Sequence, residues 1–266
     1  MNTMEEIVKE LEGDASKATL RFLTTQSGWN AGNFETPEIV WATINKTVEK
    51  QFRPLNPATR HSFTVVKKAG GTPWAYRGEE ALERMIILAN KLNCANGELS
   101  NQFNLHGTKE NVDLVIRDNN TVVELIELKP WDSADNPMYA VVELLKNLQL
   151  GKQRGKFGND LQSLKLLAPI SYYGKYSKSI ADLKRFTEQI AKSHGIHVSL
   201  KALDISCSQF QRCIEKLCIR MQEVHKLAWT KARNTTRYDF MMTVTPNQID
   251  ISDIRECLLY RNWKEV

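Results

Sequence analysis

Two carboxylates and a lysine stand where the chain concentrates chemically capable side chains. Asp113 sits between Val112 and Leu114, and Glu127 and Lys129 end the otherwise apolar run TVVELIELK. A strand alternates its faces, so Glu127 and Lys129 point the same way while Ile126 and Leu128 point the other. Paired carboxylates suit a hard divalent cation bound through oxygen. Such an ion polarises a phosphoryl oxygen and stabilises the charge that builds up when water attacks phosphorus. A lysine beside it would orient or deprotonate that water, or stabilise the developing negative charge. Deprotonation asks for a lowered lysine pKa, which burial beside a metal favours.

The elements that must position these residues are legible in the pattern. Asn111–Ile116 and Thr121–Lys129 read as strands, and Asp118-Asn119-Asn120 between them is turn chemistry, so a hairpin can bring Asp113 beside Glu127. Before the hairpin, Gly78–Leu92 has helical spacing, with Leu82, Met85, Ile86, Ala89 and Leu92 on one stripe. After it, Asn136-Pro137 marks a helix start, with Ala140, Val141, Leu144, Leu145 and Leu148 inward to about Leu150. A strand at Leu164–Tyr172, a helix at Ser177–Ser193 stopped by Gly195, and a strand at His197–Ile205 follow. Ser208–Trp229 is helical, with Phe210, Cys213, Ile214, Leu217, Cys218, Met221, Val224 and Ala228 on its apolar stripe. His61–Lys67 and Asp239–Thr245 read as short strands, and Ser252–Tyr260 as a short helix.

Val112-Asp113, thirteen intervening residues, then Glu127-Leu128-Lys129 resembles the motif of the PD-(D/E)xK nuclease superfamily. Val112 stands where that motif has proline. The hairpin and the helix before it look most like those of restriction-endonuclease-like and Holliday-junction-resolvase-like enzymes. The resemblance spans residues 74–205. It implies an α/β (α+β) fold with a restriction-endonuclease-like core, a central mixed β-sheet flanked by helices. Residues 1–73 would be a mostly helical N-terminal extension, and 206–266 a C-terminal helical extension packed on the core. It also implies Mg2+ (or Mn2+) held by Asp113, Glu127 and the backbone carbonyl of Leu128, and a glutamate from the preceding helix. Glu79 is favoured because it borders the inward stripe; Glu83 is second, and Glu80 points nearly away. Each could equally be a first-turn acid complementing the helix dipole.

The expected activity is therefore metal-dependent hydrolysis of phosphodiester bonds, in DNA above RNA and as an endonuclease above an exonuclease, in restriction, repair or defence against foreign DNA. Lys152, Arg154 and Lys156, in the Gly-rich loop GKQRGKFGN, are candidate phosphate contacts, or an ordinary solvated basic loop. Arg60, Lys67 and Lys68 carry the same two readings. Trp131 reads as packing and Glu124 as an exposed or edge residue. Two alternatives stand beside the nuclease. One keeps the fold as a nucleic-acid-binding or assembly protein without catalysis; in the other the three residues form a cross-strand charge cluster of an unrelated interaction module.

Composition bounds these readings. At 266 residues, 42% hydrophobic and 25% charged, the chain can bury a full core. The net charge of +5 permits a polyanionic partner without requiring one. No apolar run approaches membrane-spanning length and the N-terminus lacks a signal-peptide pattern, so a cytoplasmic protein is expected. Cleaving both strands would use two sites, which makes a homodimer an expectation. Five cysteines without a CxxC pair suggest reduced thiols, and the histidines are not spaced for zinc. No Walker, GxGxxG or GxSxG motif occurs.

Overall fold

A computed structural model describes residues 62–90, 98–104, 111–118, 121–153, 155–158, 161, 163–233, 236–243 and 250–266. The expected helical segments before residue 61, together with Arg60 and Leu92, lie outside these. Two sheets share the molecule. The larger has six strands: β3 (Glu98–Asn104), β4 (Asn111–Asp118), β5 (Thr121–Leu128), β6 (Ser163–Pro169), β7 (His197–Leu203) and β10 (Lys264–Glu265). Their order is β10-β7-β6-β5-β4-β3. β4 runs antiparallel to both its neighbours β3 and β5, β5-β6-β7 are parallel, and β10 returns antiparallel, so the sheet is mixed. The smaller sheet, ordered β2-β1-β9-β8, joins β1 (Ser62–Lys68) and β2 (Trp74–Ala75) to β8 (Thr230–Lys231) and β9 (Arg237–Thr243).

Helices cover both faces of the large sheet. α1 (Gly78–Asn90) precedes β3; α2 (Pro137–Gln153) links β5 to β6; the short α3 (Ile170–Gly174) and α4 (Ile180–His194) link β6 to β7; α5 (Cys207–His225) and α6 (Ser252–Leu258) follow. α2 and α4 pack one face, where Val115, Leu125, Leu144, Leu164 and Leu183 are buried together. α1, α5 and α6 pack the other, with Leu82, Leu114, Ile126, Leu128, Phe210 and Ile254. That second core also takes in Phe63, Val65 and Ala75 of the small sheet, so α1 is sandwiched between the two sheets. The alternation of β5 is thereby realised: Leu125 belongs to one core, Ile126 and Leu128 to the other.

Local chemistry sets the ends. Asn136 caps α2, its side-chain oxygen accepting from the Tyr139 N–H at 3.0 Å. Ser206 and Gln209 form a reciprocal capping box on α5. Gly195 ends α4 in the left-handed region at φ 67°. The strand expected over Leu164–Tyr172 stops at Pro169, and Tyr172 and Tyr173 belong to α3. α5 ends at His225, with Lys226 at φ 51°, so Val224 is 64% exposed instead of joining the inward stripe, and Ala228 is outside the helix. The C-terminal part is not purely helical, since it contributes three strands. The described cysteines are free thiols, with Cys213 and Cys218 buried as small apolar residues of α5. Among the described residues no helix is long and apolar enough to cross a membrane.

Candidate active site

Hairpin register decides where Asp113 points. Near the turn Arg117 pairs with Val122, but the next pair is Ile116 with Glu124, so Val123 is an extra residue in β5. This bulge moves the register by one. Beyond it Leu114 lies opposite Ile126, which places Asp113 across from Glu127. Without the shift Asp113 would face Ile126, and Glu127 would face Val112. The hairpin is closed at this end by the Asp113 side chain, whose Oδ2 accepts from the Leu128 N–H at 2.8 Å.

Lys129 is the cation around which the acids gather. Its Nζ lies 2.8 Å from Glu127 Oε1, 3.2 Å from Glu143 Oε2 and 3.5 Å from Asp135 Oδ2. The Tyr139 ring centre is 5.9 Å away. Asp113, Glu127 and Lys129 are all buried. Burial pushes Asp113 well above the usual carboxylate range, and the nearby charge of Glu79 pushes it further. Glu127 is raised too, by burial and then by Asp113 and Glu143. For Lys129 burial works against the charged form, but Glu127, Glu143, Asp113 and Glu79 outweigh it and raise the pKa well above the ordinary lysine value. The shift runs opposite to the lowered lysine pKa that a general base needs. Here Lys129 is a fixed ammonium. Glu143 is lowered: burial opposes its charge, but Lys129 and Lys146 overcome that.

The three acids at the start of α1 part company. Glu80 pairs outward with Arg77 at 2.7 Å and Arg84 at 3.3 Å. Glu83 is buried and accepts from the side-chain amides of Asn101 at 2.6 Å and Gln102 at 2.7 Å, both on β3; burial raises it to about 7. Glu79 faces the Lys129 cluster: burial raises it to about 8, Lys129 pulls it down, and Glu127 and Glu143 push it up. The structure thus brings together Asp113, Glu127, Lys129 and Glu79. The loop after α2 begins well along that helix from Glu143. Lys152 is nine residues from Glu143, about 13 Å along the helix, and Phe157 anchors that loop by packing on Phe103. Lys156 belongs to the same loop, and Arg154 lies outside the described residues.

Sequence reasoning missed Glu143 and Asp135. Glu143 neighbours the inward Leu144 on α2, so it looked like an ordinary flanking acid; only the approach of α2 to the end of β5 gives it a role. Trp131 is a packing residue as expected, its ring 4.7 Å from that of Phe210 and its Nε1–H donating to the Ile205 carbonyl at 3.3 Å. Glu124 is neither exposed nor at an edge. β5 is an interior strand, and Glu124 bonds to Lys165 of β6 and to the Tyr260 hydroxyl.

The donor chemistry suits a divalent cation. Glu79, Asp113, Glu127 and Glu143 share one ammonium, and the like charges help hold Glu79, Asp113 and Glu127 above the ordinary carboxylate range while Glu143 stays ionised. A cation placed among them would relieve that repulsion. The donors are not preassembled: among the described residues no three His, Cys, Asp or Glu side chains form a ready metal-holding group. Glu127 is instead engaged by Lys129. Compared with family models, curated proteins and solved structures, the chain finds no match.

Proposed function

We propose that this chain is a Mg2+- or Mn2+-dependent nuclease with a PD-(D/E)xK core on a restriction-endonuclease-like arrangement, cutting phosphodiester bonds of nucleic acid, DNA above RNA. The observation that carries the reading is the pair of buried carboxylates Asp113 and Glu127 opposed on the hairpin, with the half-buried Glu79 brought in by α1, around one lysine. Asp113, Glu127, the Leu128 carbonyl and Glu79 would hold the ion. When bound, it would neutralise the phosphoryl oxygen and make a water more acidic. Lys129, held charged by Glu127 and Glu143, then donates to the negative charge that develops on the phosphoryl group. Asp113 also keeps the ends of β4 and β5 together through the Leu128 N–H.

A second reading is a nucleic-acid-binding protein of the same fold without turnover, in which Lys129 keeps Glu127 engaged as an ion pair. One assay separates them. Plasmid, linear duplex, single-stranded DNA and RNA are incubated with Mg2+ or Mn2+, comparing wild type with Asp113→Ala and Lys129→Ala. Cleavage by wild type that both substitutions abolish is expected. Cleavage that survives both assigns the activity elsewhere, and salt-sensitive binding with no cleavage selects the second reading.

A further inference from the structure

The small sheet carries a charge pattern that the carboxylate site does not use. Residues 62–77 and 229–243 contain six Lys and Arg against one acid, Asp239, an excess of five. That equals the formal net charge of the whole chain, +5. The rest of the protein is balanced, and its positive surplus is collected on one structural unit. Such collection, with aromatic side chains interleaved, suits a polyanion.

Part of this charge gathers on one face, Lys67 and Lys231 lying on the other by strand alternation. Lys68 lies directly opposite Arg237, and opposed residues of an antiparallel pair share a face. Tyr76, whose N–H donates to the Thr64 carbonyl, continues it and is 46% exposed. The Arg237 guanidinium stands 4.7 Å from the Tyr76 ring centre and that of Arg77 stands 5.9 Å away. Asp239 and Glu80 brace these two guanidinia, each at 2.7 Å. Arg77 holds φ 57°, a left-handed backbone that a residue with a Cβ adopts against preference. Two residues later in the chain comes Glu79 of the carboxylate cluster, so the basic face leads into the site through the first turn of α1.

We propose that Lys68, Tyr76, Arg77 and Arg237 form a track on which the phosphodiester backbone of a nucleic-acid strand lies as it enters the carboxylate site. Guanidinium groups match phosphate geometry, and the half-exposed ring offers a stacking surface to a base. The choice of partner rests on the nuclease reading, but the claim concerns binding and needs no turnover.

The test measures fluorescence anisotropy of labelled single-stranded DNA, duplex DNA and RNA with the full chain in EDTA, across a salt series. The Lys68→Ala/Arg237→Ala double variant should bind about tenfold more weakly near ~0.1 M salt, with the slope of log K against log salt reduced by about two. The charge-preserving Lys68→Arg/Arg237→Lys variant should keep the wild-type slope, which guards against a variant that merely misfolds; melting curves of both are compared with wild type. Lys152→Ala/Lys156→Ala should change the slope less. Wild-type affinity and slope in a folded double alanine variant would overturn the track, as would a wild-type protein that binds none of the three probes. Binding that needs Lys68 and Arg237, with no cleavage in Mg2+ or Mn2+, sinks the nuclease reading and leaves the track. Cleavage by the double variant at unchanged KM does the reverse.

Discussion

Without a divalent cation, the protein should lose stability as pH rises from 5 to 8, and Glu79 should be responsible for much of the loss. A carboxyl at the ordinary 4.5 in the unfolded chain is held at about 8 in the folded protein by burial. Below pH 4.5 both states carry the proton and nothing is lost. Above it the unfolded chain ionises while the folded one stays protonated, so folding becomes less favourable by ~1.4 kcal/mol for each pH unit until the folded group ionises near 8. Between pH 5 and 8 that amounts to at most about 4 kcal/mol from Glu79, a large part of the ~5–15 kcal/mol that stabilises a domain. The direction is the opposite of a salt-bridged carboxylate, whose stability is lost towards acid. Urea denaturation in EDTA at several pH values, on wild type and Glu79→Gln, measures it. The variant should show a distinctly flatter profile over this window, and Mn2+ or Mg2+ should stabilise wild type more at pH 8 than at pH 5. Superimposable profiles for the two proteins, or a steeper one for Glu79→Gln, would refute the view that buried, mutually repelling carboxylates await a cation here.

Three further outcomes follow from individual contacts. Glu143→Gln removes the α2 carboxylate 3.2 Å from Lys129; kcat of the proposed nuclease reaction should fall by about tenfold or more, with KM and the melting temperature nearly unchanged. Gly151→Ala would put a Cβ 2.0 Å from Cε2 of Phe157, a ring fixed against Phe103, so despite the better helix propensity of alanine it should destabilise by about 1–3 kcal/mol in thermal unfolding. Lys165→Met takes the ammonium from the half-buried Glu124 and leaves it the Tyr260 hydroxyl, so it should cost about 1–3 kcal/mol in chemical denaturation, much of it recovered by adding Glu124→Gln.

Much of the central architecture was readable because its periods are clean. The inward stripes of α1 and α2 are buried where they are described, and Glu127 and Lys129 share a face because alternation requires it. Other parts were not readable, for distinct reasons. β3, ELSNQFN, is polar enough to look like a loop; its only strand signal is Leu99 and Phe103 alternating around Asn101, which is buried because Glu83 accepts from it. The small sheet pairs Phe63 with Met242, a separation in sequence that no local pattern reports. Glu124 looked like a surface acid because its partners, Lys165 and Tyr260, arrive from β6 and from beyond α6.

The site itself depends on a feature that residue types do not reveal. Thr121-Val122-Val123 reads as an unbroken strand with no Gly or Pro to mark an irregularity, yet Val123 has no partner on β4. Since side chains repeat every two residues, one extra residue exchanges the faces of everything beyond it relative to β4. Asp113 therefore meets Glu127, and Ile126 meets Leu114 within the core shared with α1. Slipped back by one, the same sequence would set Asp113 against Ile126 and leave Glu127 opposite Val112, burying a carboxylate among aliphatic side chains. The apolar residues on both faces of β4 and β5 resist that slip, because each face already has its own helices to pack. The register that satisfies both cores is the one that assembles the carboxylates, so in this hairpin the packing of the fold and the construction of the site are a single constraint.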